Sequence, residues 1–336
     1  MNFEDVQKAV DLFSPEEMKR LRGYIEHREQ QMEQSSTIVS VESLFTTLAD
    51  IRSKMDVTKF LAFLENLYLP YDKNNIRRTT NLDLIPDYSH RRGGKIAYAE
   101  WAHVIGIFQT IIGQHLPRND SELMWLDVGC GTGILAIAAY PLILEKGKYI
   151  GIDVQRRDIE FCREHYPASL YEFQHLDAKN AVYSPLQDSI HTPWKLEDSS
   201  VNLVTALSVW THFDQADALF YFQEVDRVLK SEGKAFLTFF LLDKEYEQSL
   251  AGRSPLQSAY HKTPTDKWIF DQYSVSTHWR HPEWAKISEN AIGVTPTGIQ
   301  QLLEKTDLLW EHTYLGNWKE KFGLFFQDIL VFKKRR

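Results

Sequence analysis

Leu126-Asp127-Val128-Gly129-Cys130-Gly131-Thr132-Gly133 is the stretch that decides the fold. The apolar run Leu123–Val128 has strand length, and a helical pattern, Ile134–Leu144, follows the glycines. Glycines at such a strand-to-helix turn let the backbone bend sharply and approach a ligand closely, and the helix start offers unpaired N–H groups. The spacing is G-x-G-x-G, with Ile134 where a dinucleotide fingerprint needs its third glycine. Asp127, two residues before the first glycine, favours a ligand carrying an ammonium group over one carrying a pyrophosphate.

Outward from this loop the chain alternates. Strand candidates are Lys148–Asp153, Ser169–Gln174, Val201–Leu207 and Lys234–Leu241, with helical patterns at Arg157–His165 and Asp214–Lys230 between them. Apolar runs separated by amphipathic helices predict a parallel sheet covered on both faces. After a polar-aromatic stretch to about Asn290, Thr295-Pro296 opens a short helix, and Trp310–Leu315 and Leu324–Phe332 predict a closing antiparallel hairpin. Residues 1–118 read as helical: Pro15–Gln34, Val57–Leu69 stopping at Pro70, and Tyr98–His115, with a polar connector carrying Arg91-Arg92-Gly93-Gly94-Lys95. That basic run is a solvated loop or a partner for an anionic ligand group.

The formal charge of −8 argues against a nucleic-acid binder, which needs a basic face. Two cysteines exclude a disulfide framework and a four-cysteine zinc site. Apolar stretches fall short of the roughly 18 residues of a membrane span. The acidic start Met1-Asn2-Phe3-Glu4-Asp5 lacks an apolar signal region, so the expectation is a soluble, cytoplasmic protein. The run His278-Trp279-Arg280-His281-Pro282-Glu283 holds metal-ligand types, but its spacing is only suggestive and Pro282 breaks any helix, so no metal is expected.

The D-x-G-x-G-x-G stretch resembles the signature of class I S-adenosylmethionine-dependent methyltransferases. The resemblance covers roughly residues 120 to 332. It implies an α/β, Rossmann-like seven-stranded sheet of order 3-2-1-4-5-7-6, here with a helical N-terminal extension. Asp153, ending Gly151-Ile152-Asp153, matches the acid that takes the ribose hydroxyls, and Asp177 the acid that meets the adenine amino group. Cofactor contacts are thereby implied at Asp127, Gly129, Cys130, Gly131, Gly133, Asp153, Val154, Asp177, Ala178 and Leu207. Val225–Gly233 resembles the family's R-V-L-K-P-G-G stretch, with Ser231-Glu232 replacing Pro-Gly.

A narrower likeness is to a bacterial subgroup of these enzymes that modifies glycans and secondary metabolites. It rests on Ser208-Val209-Trp210-Thr211-His212, on Asn180–Pro185 as N-x-x-Y-x-P, and on Gly316-Asn317-Trp318 with Phe326-Gln327-Asp328. No (N/D)-P-P-(Y/F) segment follows strand four, as a nucleic-acid amino-methyltransferase would want. No Asp stands there for a magnesium-dependent catechol-type enzyme either.

The expected activity is methyl transfer to a small-molecule acceptor, through a hydroxyl oxygen of a sugar or secondary metabolite. His212, just past strand four, is the candidate general base, with a pKa expected near 6 to 7; the competing role is loop packing, with Asp214 as a helix cap. Trp210, Trp268, Tyr273 and Trp279 are candidate walls of an acceptor pocket, or packing of a lid. The domain reading is 1–118 as a lid, acceptor wall or homo-oligomer contact, and 119–336 as the methyltransferase domain with 243–290 as an acceptor-side insertion. The alternative is a non-catalytic module that binds S-adenosylmethionine or a nucleoside and regulates a partner; a nicotinamide oxidoreductase is a weaker third.

Overall fold

The computed structural model describes residues 49–54, 56–92, 97–116, 122–178, 182–183, 191–274 and 276–336. The helix expected over Pro15–Gln34 lies outside them. The chain divides into two compact units, up to Arg91 and from Arg92 onward.

The first unit contains helix α1, Val57–Asn74, and two short 3-10 turns. The helix was expected to stop at Pro70 but runs through it. Proline removes one backbone donor, and the carbonyl thereby freed belongs to Asn66, an exposed residue whose carbonyl water can satisfy. Arg91 is not a solvated loop residue. It is buried, donating from Nε to the Pro86 carbonyl at 2.9 Å and pairing with Glu65.

The second unit is built on a seven-stranded sheet. Its strands are β1 (Met124–Val128), β2 (Lys148–Asp153), β3 (Tyr171–His175), β4 (Val201–Ala206), β5 (Leu229–Leu241), β9 (Leu308–Tyr314) and β10 (Asp328–Lys334). They lie in the order β3-β2-β1-β4-β5-β10-β9, the expected 3-2-1-4-5-7-6. The first five are parallel; β10 runs antiparallel between β5 and β9. Three short strands, β6 (Gln272–Tyr273), β7 (Trp279–His281) and β8 (Gly293–Val294), come from the 243–290 region and its border. They extend from the end of β5, where Phe240 pairs with Gly293.

The helices are α2 (Tyr98–His115), α3 (Ile134–Ile143), α4 (Arg156–His165), α5 (Gln215–Val228), α6 (Lys244–Ser249) and α7 (Pro296–Leu303). Helix α2 buries Trp101, Val104, Ile105, Phe108, Ile111 and Ile112, the i, i+3, i+4, i+7 stripe of a packed helix, and lies against α3. Helix α2 thus belongs to the unit that runs from Arg92 onward. Asp214 caps α5, accepting from the Ala216 and Asp217 amides, and Thr295 caps α7, accepting from Gly298. No helix of the described residues is long and apolar enough to cross a membrane.

Candidate active site

The carboxyl ends of β1, β2 and β4 bring the predicted residues to one edge, where doubly wound sheets bind ligands. The three glycines of the loop have φ of 69°, 51° and 92°, all left-handed, but they differ in surroundings. A Cβ at Gly129 would fall 2.4 Å from Val209 Cγ2, and one at Gly133 would fall 2.5 Å from the Tyr166 hydroxyl. Among the described residues, one at Gly131 would meet only Arg92 Cβ, at 3.9 Å. The glycine requirement at 129 and 133 is thus met by protein packing. At 131 no described residue crowds the backbone, and a ligand can approach it there.

Asp153 shapes that space. Its two oxygens accept from the Gly131 and Gln155 amides, each at 2.8 Å, which ties the loop to the end of β2. A carboxylate oxygen has two acceptor sites, so each keeps one for a ligand hydroxyl. Burial pushes the Asp153 carboxyl above its ordinary pKa, against the backbone bonds that lower it.

Asp127 is held by the neighbouring strands. It shares a face of β1 with Trp125, and its oxygens accept from the Thr205 hydroxyl at 2.7 Å and from the Tyr149 hydroxyl. Strand alternation turns its side chain toward Tyr149 on β2 and Thr205 on β4. Burial raises its pKa to about 7, with both hydrogen bonds opposing. Cys130 also points inward: its thiol and that of Cys162 lie 3.7 and 3.4 Å from the Gly131 carbonyl, and burial pushes the Cys130 pKa well up. Val154 and Leu207 are half-buried after β2 and β4, Ala178 is buried, and Asp177 is exposed, its carbonyl accepting from Thr192.

His212 ends a 3-10 turn, Trp210–His212, that follows β4. Its Nδ1 lies 2.6 Å from the Glu289 carbonyl and its Nε2 3.2 Å from the Tyr183 hydroxyl. A carbonyl only accepts, so Nδ1 carries the proton and Nε2 of the neutral ring holds the lone pair. Burial lowers the His212 pKa below the ordinary 6.5, toward the acid side of the expected range, with the Glu289 contact opposing. The ring is therefore neutral at pH 7.

Tyr183 is the residue that sequence reasoning passed over. Its carbonyl accepts from Gln155 Nε2, its ring stands edge-on to His212 at 5.1 Å, and burial and the Asp153 charge raise its pKa. The only signal for it was its place in the N-x-x-Y-x-P segment.

The aromatic pocket is also corrected. Trp210 and Trp279 are core side chains, 1% and 0% exposed. Trp268 stacks on Phe240 at 5.2 Å and packs edge-on against Phe326, while Tyr273 is exposed on β6 beside Arg280. These four do not line one cavity. The aromatics of 243–290 instead close a small second core around Phe240, Phe270 and Trp318. Among the described residues no cluster of His, Cys, Asp or Glu could hold a metal.

Strand order, glycine loop and acid-bearing edge define a class, a doubly wound α/β domain of Rossmann-like type. Residues 126–237 match the family model described as a methyltransferase domain. Similar solved structures include a protein of Pyrococcus horikoshii OT3, at 18% identity over 70% of this chain and 92% of that one, with a TM-score of 0.45. A second is an S-adenosylmethionine-dependent methyltransferase of Mesorhizobium loti, at 17% identity over 67% and 96%, TM-score 0.45. A third is a methyltransferase of that kind from Listeria monocytogenes, at 14% identity over 69% and 99%, TM-score 0.44.

Proposed function

We propose that this chain methylates a small-molecule acceptor, at a hydroxyl oxygen of a sugar or secondary metabolite, with His212 as general base. One observation carries the reading. A neutral imidazole of fixed tautomer stands just past β4, on a turn whose Val209 abuts the glycine loop.

The chain's residues fit the cofactor. Gly131 leaves open the space that a Cβ would narrow, and Asp153 keeps an acceptor on each oxygen for the two ribose hydroxyls. Bound S-adenosylmethionine supplies an electrophilic sulfonium methyl, so the protein's task is alignment and proton removal. His212 Nε2 would take the acceptor hydroxyl's proton as that oxygen gains the methyl group, whose bond to sulfur breaks and leaves neutral S-adenosylhomocysteine. Nδ1–H on the Glu289 carbonyl holds the ring and stabilises the imidazolium that results. The Tyr183 hydroxyl occupies the Nε2 side and must yield to the acceptor hydroxyl. The acidic balance of the chain supports a small acceptor over a nucleic acid.

The test is a labelled-methyl transfer screen against sugars, nucleotide sugars and phenolic metabolites, read by mass spectrometry. A labelled product that depends on His212 supports the reading. Tight S-adenosylhomocysteine binding without transfer to any of these classes would favour the regulatory module instead.

A further inference from the structure

We propose that Gln327 is a positioning residue that holds the His212 turn, through a double hydrogen bond from one side-chain amide to Ser208 and Thr211. This rests on the reading of His212 as the base. Three facts make the turn an arrangement that needs holding. Ser208 has φ of 60°, the left-handed region that non-glycine residues rarely adopt. The turn is wedged: Val209 stands on the glycine loop, while the Thr211 carbonyl takes the Ile292 amide at 2.7 Å. His212 follows on this backbone, its amide bonded to the Val209 carbonyl at 2.9 Å.

Gln327 meets both ends of the turn. Its Oε1 accepts from Ser208 Oγ at 2.9 Å, and its Nε2 donates to Thr211 Oγ1 at 3.5 Å. Gln327 and Thr211 are both buried, and Ser208 is pinned from the other side by its amide on Thr238 Oγ1 at 2.7 Å. The job calls for an acceptor and a donor in one rigid plane. Leucine offers neither and glutamate only acceptors.

The next residue explains why Gln327 stays in place. Asp328, fully buried, accepts from the Leu241 amide at 3.0 Å and from the Gly316 amide and Trp318 Nε1 at 2.9 Å. It also pairs with buried Lys319 at 2.9 Å. One carboxylate thus fixes the start of β10 to the end of β5 and to the 316–319 turn, and Gln327 is aimed from that anchor. Two motifs more than a hundred residues apart in sequence become parts of one device.

The experiment reads the His212 ring directly, before any acceptor is known. Nitrogen-15 spectra of the histidine rings are recorded at neutral pH for the full chain and for Gln327→Leu, with His212→Gln to assign the signal. S-adenosylhomocysteine titrations check that the cofactor site survives. In the wild type the two His212 nitrogens should be well separated, as one tautomer demands. In Gln327→Leu that separation should shrink by roughly a third or more as the second tautomer enters, while S-adenosylhomocysteine affinity stays within about threefold. Gln327→Glu should restore the pattern only in part.

If Gln327→Leu does not fold, Ser208→Ala removes the other end of the stronger hydrogen bond and should broaden the tautomer mixture likewise. An unchanged ring signal in a folded variant of either kind overturns the proposal. With an acceptor in hand, Gln327→Leu should also lower kcat about tenfold with little change in cofactor KM. A disturbed ring with an undiminished transfer rate would leave the hydrogen-bonded turn standing and remove His212 from the chemistry.

Discussion

Replacing Gly131 and Gly129 by alanine, one at a time, separates ligand space from protein packing. Both residues are left-handed, and an alanine there costs about 1–2 kcal/mol. The loss of unfolded-state freedom returns about 0.4–1 kcal/mol. For Gly131→Ala the net is on the order of 1 kcal/mol, because the new methyl meets nothing closer than 3.9 Å. That is a drop of a few degrees in Tm. The methyl does enter the open side of the loop, so S-adenosylhomocysteine affinity should fall at least tenfold, about 1.4 kcal/mol. Gly129→Ala adds a 2.4 Å contact with Val209 Cγ2, overpacking worth a further 1–3 kcal/mol or so. Val209→Ala deletes that carbon, and the next contact at Gly129 is an ordinary 3.8 Å. The double variant should therefore recover most of the overpacking cost. Urea unfolding gives the stabilities and calorimetric titration the affinities. Wild-type affinity in Gly131→Ala would remove the cofactor from the open face, and strict additivity of the other pair would show that Val209 yields freely.

Asp153→Ala should weaken S-adenosylmethionine binding by about 1.5–3 kcal/mol, by loss of a charged acceptor in a partly desolvated site. It should also loosen the loop, since the Gly131 amide loses its partner; an unchanged Kd in calorimetry would refute the ribose assignment. His212→Gln should cut methyl transfer roughly 10²–10⁴-fold with cofactor affinity kept. Burial lowers the His212 pKa, so the wild-type rate should fall on acidification along a limb displaced to the acid side of an ordinary imidazole's, and that limb should be absent from the variant. A loss under about threefold with the limb retained would make His212 a structural residue. Asp127 is raised from 3.8 to about 7, so its stabilising contribution is complete below pH 3.8 and is lost as pH rises through 7. The stability of the wild type relative to Asp127→Asn should therefore decline between about pH 4 and 7 in urea titrations, and parallel curves would contradict a carboxyl held neutral by burial.

The parallel sheet was legible because its strands are apolar on both faces, and β2 was located to the residue. The loop was legible because its glycines sit where a turn must follow a strand. Orientation was not. Nothing in the sequence distinguishes Asp153, turned to the edge, from Asp127, turned into the layer; the difference comes from Tyr149 and Thr205 on neighbouring strands. The aromatics of 243–290 misled for a related reason. A crowd of Trp, Tyr and Phe satisfies a pocket and a core equally in sequence, and only burial separates Trp279 from Tyr273. Helix α1 passed its proline because exposure of one carbonyl, not residue type alone, sets the cost. The Gln327–Ser208 link is a contact across 119 positions, invisible to any local pattern.

The two buried thiols beneath the glycine loop give the chain a built-in clock. Cys130 and Cys162 are its only cysteines, both point at the Gly131 carbonyl, and neither is reachable in the closed state. Alkylation by a small thiol reagent can therefore proceed only as fast as the loop and α4 separate, and its rate counts opening events at the cofactor's own seat. A ligand that binds the closed loop should slow that reaction in proportion to its occupancy. Candidate cofactors could then be ranked by protection alone, with no acceptor, label or turnover required.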